Sequence, residues 1–227
     1  MIIYGKQVVL YVLERHPSLI EEVMFSKEIE PKLFRRFTSL DKKIIKLDNK
    51  KAQSLAKGGN HQGFFLKLKE FRTSTLKDIK DSNFVVVLDG LTDVGNIGAI
   101  CRTAYSLGVD AIIASNVKHL NFEGIARTSS GALLDIPFCH IPNSLDVANE
   151  LKQLEFKLFG ASMDGIDLKE FDNTFDKTAL VLGSEGEGLS NKMIKKLDQK
   201  ISIKMFNNFD SLNVSVAGGI LIYNLKR

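Results

Sequence analysis

Cysteine is scarce in this chain: Cys101 and Cys139 are the only two in 227 residues. Both lie inside apolar segments, and neither has a CxxC or Cys/His spacing, so no metal site is expected. Two thiols make no disulfide framework and suggest a reducing cytoplasm. Long apolar runs are missing as well. No stretch approaches the roughly 18 residues of a spanning helix. The opening MIIYGKQVVLYVLERHP has no charged leader, long apolar core or small-residue cleavage site, so neither export nor a membrane partner is expected. No internal repeat or low-complexity tract occurs. The GxGxxG and GxxxxGKS/T phosphate-binding fingerprints are absent, and so is any aromatic-rich RNP-like motif.

What is present is enough apolar material for a core, 44% of residues, and an uneven charge. Residues 1–80 carry 17 Lys and Arg against 9 Asp and Glu, a net of +8. The rest carries 14 against 18, a net of −4. A basic arm on a mildly acidic body suggests a polyanionic partner; a solvated Lys-rich surface is the plainer alternative.

The arm reads as a small α/β module. GKQVVLYVLER and NKKAQSLAK have helical spacing, EEVMFS and KKIIKLD read as short strands, and GFFLKLKEF alternates like a strand with basic residues outward. We place this module at residues 1–71 and a polar linker at 72–83. From residue 84 to 227 the alternation is regular. FVVVLDG, DAIIAS, PFCHI, KLFGASM, ALVLGS and KISIKM are apolar strands with helical stretches between them. Such strands predict an α/β fold with a mostly parallel sheet covered on both faces.

Three segments carry the chemistry. LDGLTDVGNIGAICRTAYSLG places Arg102 on an otherwise small and apolar helix, leaning over Gly98 one turn earlier. Gly95 and Asn96 form the turn into it, and Asn96 is a capping type. Arg102 is either a site residue or a cation snorkelling from a packed helix. VLGSEGEGLS is rich in glycine yet carries Glu185 and Glu187 and no cation. It therefore suits a ligand without phosphates, perhaps a positively charged one, or else is a solvated turn. In ISIKMFNNFDSLNVSVAGGILIY, Ser211 and Asn213 open a helix that is apolar nearly all round. Such a helix must be buried, in the core or against another subunit.

Together, Asn96-x-Gly98-x-x-x-Arg102, LGSEGEGL and SLNVSVA, in that order, resemble the three motifs of SpoU/TrmH-type RNA ribose 2′-O-methyltransferases. The resemblance covers residues 84–227, extends to RTSSGAL, and reaches YGKQVVLYVL and HQG in the arm. The arm resembles the substrate-binding domain of the subgroup that modifies a guanosine of 23S ribosomal RNA. The resemblance implies a SPOUT-type trefoil knot, S-adenosylmethionine as methyl donor, a homodimer and a structured RNA substrate. It assigns cofactor contacts to Gly183, Ile203 and Leu212, and makes Arg102 the catalytic arginine, with Asn96, Glu185, Ser211 and Asn213 shaping the catalytic site. The family's usual proline before the Asn-x-Gly turn is Val94 here. In the last motif the usual proline and glycine are Lys204 and Asn207, and Asn207 is expected to keep the turn through left-handed backbone. His61 and Gln62 of HQG are expected to be structural. A transfer-RNA substrate, an inactive RNA-binding protein and a nucleotide-dependent oxidoreductase are the competing readings; the missing GxGxxG weighs against the last.

Overall fold

The computed structural model describes residues 1–207 and 211–226. It contains two compact units, one built from residues 1–72 with 121–131, the other from residues 73–120 and 132 onward.

The first unit holds a four-stranded sheet in the order β1 (Ile2–Tyr4), β4 (Phe64–Leu68), β2 (Ile20–Phe25), β3 (Lys43–Lys46). β4 is antiparallel to both neighbours, and β2 and β3 run parallel. Helices α1 (Lys6–Arg15), α2 (Pro31–Thr38) and α3 (Asn49–Leu55) connect the strands. α1 buries Val8, Val9, Val12 and Leu13, the face its spacing predicts. β4 does not alternate as expected: Phe64, Phe65, Leu66 and Leu68 are all buried, and only Lys67 is exposed. The reason is that both faces are covered: Phe65 packs with Ala52 and Ala56, and α1 also packs against β4. The sequence reading missed α2, which buries Phe37 alone.

The HQG turn is structural, as expected. His61 Nδ1 accepts the Gly63 N–H at 3.0 Å, and Gln62 Oε1 accepts the Lys6 N–H at 3.0 Å. Helix α5 (Phe122–Thr128) joins this unit through Glu123, which accepts the Ile2 N–H at 2.6 Å. Phe122 also meets Phe71 with ring centroids 4.9 Å apart, and Arg127 lies 4.9 Å from the Tyr4 ring centroid.

The second unit is a six-stranded, all-parallel sheet. Its order is β10 (Gln199–Ser202), β8 (Lys157–Asp167), β9 (Thr178–Gly183), β5 (Phe84–Asp89), β6 (Ala111–Ser115), β7 (Phe138–Ile141). Every residue of β5 and β6 is buried, which accounts for their continuous apolar sequence. On one side, Val85, Val87, Ile113 and Val181 pack with Val147, Ala148 and Leu151 of α6 (Ser144–Gln153). Residues 72–83 include a 3₁₀ turn, Leu76–Ile79, whose Ile79 is buried in that same cluster. Asp78 caps the turn by accepting the Thr75 N–H, a bond that holds its carboxyl below the usual range.

Helix α4 (Val94–Ser106) buries Ile97, Gly98, Ile100, Cys101 and Ala104. After edge strand β10, helix α8 (Val214–Leu225) returns to the sheet centre beside β9 and α4. Gly218 permits the close approach: a Cβ there would lie 2.9 Å from Leu182 Cδ1. Gly218, Leu221, Ile222 and Leu225 are buried. Val216, Ile220 and Tyr223 are exposed, Tyr223 at 73%, so the helix is apolar on a second face that this chain leaves uncovered. Among the described residues no helix is long and apolar enough to cross a membrane.

Both thiols are fully buried. Burial pushes Cys101 and Cys139 up to about 12, far from the thiolate form that reacts. A disulfide-exchange reagent at pH 8 is therefore expected to modify neither thiol in the native protein and both in denaturant. Rapid modification of either one under native conditions would show that the packing around α4 or β7 is wrong.

Candidate active site

The C-terminal ends of β5, β6 and β9 lie side by side, because these three strands are parallel neighbours. In open α/β sheets this end gathers ligands. Helix α4 starts just beyond β5. Its cap is Asp93, not Asn96: Asp93 Oδ1 accepts the Asn96 N–H at 2.7 Å. Asn96 sits inside the first turn, which leaves its side-chain amide available for other partners.

Beyond β9 the glycine segment closes into a tight turn. Ser184 and Gly188 exchange two backbone hydrogen bonds, each 3.0 Å, with Glu185, Gly186 and Glu187 at the tip. Gly186 and Gly188 have φ of +87° and +69°, conformations that glycine adopts without strain. Gly183 is required for another reason. A Cβ there would lie 2.2 Å from the Gly188 carbonyl carbon and 2.5 Å from the Leu189 nitrogen, so no other residue fits beneath the returning strand.

Three side chains from the three sequence motifs meet at this turn. Glu185 Oε1 accepts from Asn96 Nδ2 at 3.0 Å and from Asn213 Nδ2 at 2.9 Å. Asn213 Nδ2 also donates to Asn96 Oδ1 at 2.9 Å. The other end of Asn213 caps α8: its Oδ1 accepts from the Ser215 N–H at 2.9 Å and from Ser215 Oγ at 2.6 Å. That cap fixes the orientation of the amide, aiming its NH₂ at the acid. Glu185 is therefore an anchored acceptor rather than a merely solvated turn residue.

The remaining predicted residues are placed differently. Arg102 is exposed on α4 and makes no hydrogen bond or ion pair among the described residues. The buried face of its helix is apolar and includes Gly98, one turn before Arg102. The structure does not bring it into contact with Glu185 or Asn213. Ser211 is exposed, and Ile203 and Leu212 are half-buried; none of the three contacts the triad through a hydrogen bond among the described residues. Asn207 does not take the left-handed backbone expected of it.

A cleft of about 360 Å³ is lined by Asp89, Asn116, Ser184, Glu187, Ser190 and their neighbours, and Gly183, Ile203 and Leu212 are not part of that lining. This is the size of a small-ligand site, about 300–1,000 Å³. Its lining carries two carboxylates and no Lys or Arg, which suits a nucleoside ligand with a positive group and no phosphate. Sequence reasoning missed Asp89. It is 1% exposed and accepts the Ser190 N–H at 2.7 Å and the Ser115 hydroxyl at 3.5 Å, tying the turn to β5 and β6. The signal was an acid closing an otherwise apolar buried strand. Among the described residues no cluster of His, Cys, Asp and Glu could hold a metal ion.

Asn213→Asp isolates the donor at the triad, because aspartate caps a helix as well as asparagine does. The variant is expected to be about 0.5–1.5 kcal/mol less stable near pH 8. Two facing carboxylates raise each other's pKa, so the deficit is expected to shrink as pH falls toward about 4 and one of them protonates. Melting temperatures of variant and parent across that range check this; a pH-independent difference would deny the Glu185 contact.

The chain matches two family models: the SpoU rRNA methylase family over residues 83–223, and the RNA 2′-O ribose methyltransferase substrate-binding domain over residues 2–74. It is 30% identical over 236 residues to the 23S rRNA (guanosine-2′-O-)-methyltransferase RlmB of Escherichia coli K12, covering 99% of this chain and 97% of that protein. It is 27% identical to the enzyme of the same name from Neisseria meningitidis, over 99% of this chain and 94% of that one. The AdoMet-bound rRNA methyltransferase of Sinorhizobium meliloti has the same fold, with a TM-score of 0.82 at 22% identity over 99% of this chain and 85% of that one. The SpoU methyltransferase AviRb of Streptomyces viridochromogenes, in complex with AdoMet, superposes with a TM-score of 0.80 at 22% identity, over 99% and 88%. With three motif segments joined at one carboxylate on a parallel α/β sheet, and with both family models matched, this chain belongs to the SpoU family of RNA 2′-O-methyltransferases.

Proposed function

We propose that this protein methylates the ribose 2′-hydroxyl of a guanosine in 23S ribosomal RNA, using S-adenosylmethionine, in the cytoplasm. The full-length likeness to the RlmB enzymes supports the substrate class over transfer RNA. The observation that carries the reading is the Asn96–Glu185–Asn213 triad, because it joins the three motif segments in one place.

S-adenosylmethionine supplies a methyl group activated by a positive sulfonium. Gly183, Ile203 and Leu212 would hold it, largely through backbone, and the acidic cleft without Lys or Arg suits its positive sulfonium. The triad keeps the glycine turn and the N-terminus of α8 at a fixed separation, so that the acceptor oxygen is presented in line. Orienting the reactants in this way can supply much of a displacement's acceleration. As a cation, Arg102 grips an RNA phosphate or stabilises the charge that develops on the ribose oxygen as its proton passes to that phosphate or to water and the donor leaves as a neutral thioether. Ser211, the first residue of the third motif, faces the target ribose in this reading.

Residues 1–71 would supply RNA affinity through their net positive charge, residues 72–83 the connection, and residues 84–227 the chemistry. The exposed Val216, Ile220 and Tyr223 face of α8 pairs with a second copy of this chain, because a helix apolar on two faces needs two partners.

Arg102→Ala is expected to abolish transfer of a tritiated methyl group to ribosomal RNA while calorimetry shows cofactor binding within about threefold of the parent. Parental turnover in that variant would end the assignment. Sedimentation is expected to show a dimer, and Val216→Lys with Ile220→Lys a monomer; a monomeric parent would remove the second copy from this reading.

A further inference from the structure

Glu187 stands on the glycine turn two residues from Glu185, yet takes no part in the triad. It is exposed and makes no hydrogen bond or ion pair among the described residues. It lines the cleft together with Asp89, Asn116 and Ser184. β5 leads through α4 to β6 on one side, whereas β9 leads to β10 at the opposite edge. The cleft therefore opens where the connections of the sheet diverge, the place at which open α/β sheets bind ligands. Asp89 is already occupied, because both its oxygens accept hydrogen bonds. The Glu187 carboxylate and the Asn116 side-chain amide have no such partners among the described residues. Asn116 is held from behind: its N–H donates to the Pro142 carbonyl at 3.1 Å, and its φ of +58° is one that asparagine tolerates. Asn116 Nδ2 and Ser184 Oγ lie 3.5 and 3.9 Å from one point, the position that a Cβ on Gly90 would take. The amide thus stands beside the residue that opens the turn, and Gly90 leaves the space between them clear.

We infer that this cleft reads the base of the methylated nucleotide, with Glu187 accepting from N1–H and N2–H of guanine and Asn116 Nδ2 donating to O6. The inference rests on the RNA-methylation reading above and adds how a guanosine is chosen. A base edge is recognised by its order of donors and acceptors. Among the four RNA bases only guanine presents two neighbouring donors, which a carboxylate accepts with its two oxygens. Adenine and cytosine each place one donor beside a ring acceptor, and uracil places its donor between two carbonyls. Each would set a lone pair against the acid. A sulfonium has no N–H: the negative potential of the cleft attracts it at a distance and leaves these directional acceptors unused.

Digestion of ribosomal RNA methylated by the full chain locates the modified nucleotide. The shortest ribosomal RNA fragment that the parent still methylates is then ligated with guanosine, inosine or adenosine at that position. Inosine differs from guanosine only in lacking the 2-amino group. The parental kcat/KM for tritiated methyl transfer is expected to be about 10- to 150-fold lower on inosine, the range for one hydrogen bond to a charged acceptor, and lower still on adenosine. Glu187→Gln keeps the size of the side chain but offers one acceptor and one donor. It is expected to lose about 10- to 150-fold on guanosine and to bring guanosine and inosine within about threefold of each other. Asn116→Asp is expected to lose about 5- to 150-fold on guanosine and inosine alike, since both carry O6. Melting temperature and S-adenosylmethionine binding by calorimetry should stay at parental values in both variants. A parental guanosine-to-inosine ratio near one, a ratio unchanged in Glu187→Gln, or parental kcat/KM in Asn116→Asp would overturn the base reading. So would a loss of cofactor affinity in Glu187→Gln that matches its loss of transfer, because the acid would then hold the ammonium of the donor. A parent that transfers no methyl to ribosomal RNA defeats the methylation reading itself, whereas transfer to guanosine that is indifferent to inosine defeats only the cleft.

Discussion

One carboxylate oxygen holds the catalytic half together. Glu185 Oε1 takes hydrogen bonds from two asparagine amides that lie 89 positions before it and 28 after it. A carboxylate is the right group for this, because it accepts at both oxygens and donates nothing. The three segments it joins leave the sheet at different places. α4 follows β5, the glycine turn follows β9, and α8 returns from beyond the edge strand β10. Without the shared oxygen, the glycine turn would lose both asparagine bonds, and α4 and α8 would be joined by the Asn213–Asn96 hydrogen bond and by apolar packing, which sets distance better than orientation. The buried Asp89 reinforces the arrangement from beneath by tying the same turn to the ends of two central strands.

Much of this was legible in the sequence because it is local or periodic. The apolar strands of the second unit, the apolar face of α1 and the double apolar character of α8 all follow from residue spacing. The fold and the site residues came from ordered motifs rather than from physics: periodicity alone gives a parallel sheet, not its strand order. Other features were not legible because they depend on distant neighbours. β4 alternates in sequence yet is buried on both faces, because Phe65 packs with Ala52 and Ala56 and α1 also packs against the strand. Asn96 was read as a cap because its type favours caps, whereas Asp93, three residues earlier, takes that role and releases Asn96 for Glu185. Helix α5 packs with the first unit through Glu123 and Arg127, contacts that span more than a hundred residues.

The charge asymmetry of the chain follows its division into two units. Cations concentrate in the first, while two carboxylates of the second line a cleft without Lys or Arg. A surplus of cations raises the local concentration of polyanions, and a cleft of carboxylates favours a cation.

Asn213 serves two masters, since one end of its amide caps α8 and the other meets the acid. Its neighbours in the triad are consequently not free to vary one at a time. Losing any member removes two of the three mutual hydrogen bonds, so the first change carries most of the penalty and a second removes only the last bond. Drift at these positions should therefore proceed as a block, with Asn96, Glu185 and Asn213 kept or abandoned together across descendants of this chain.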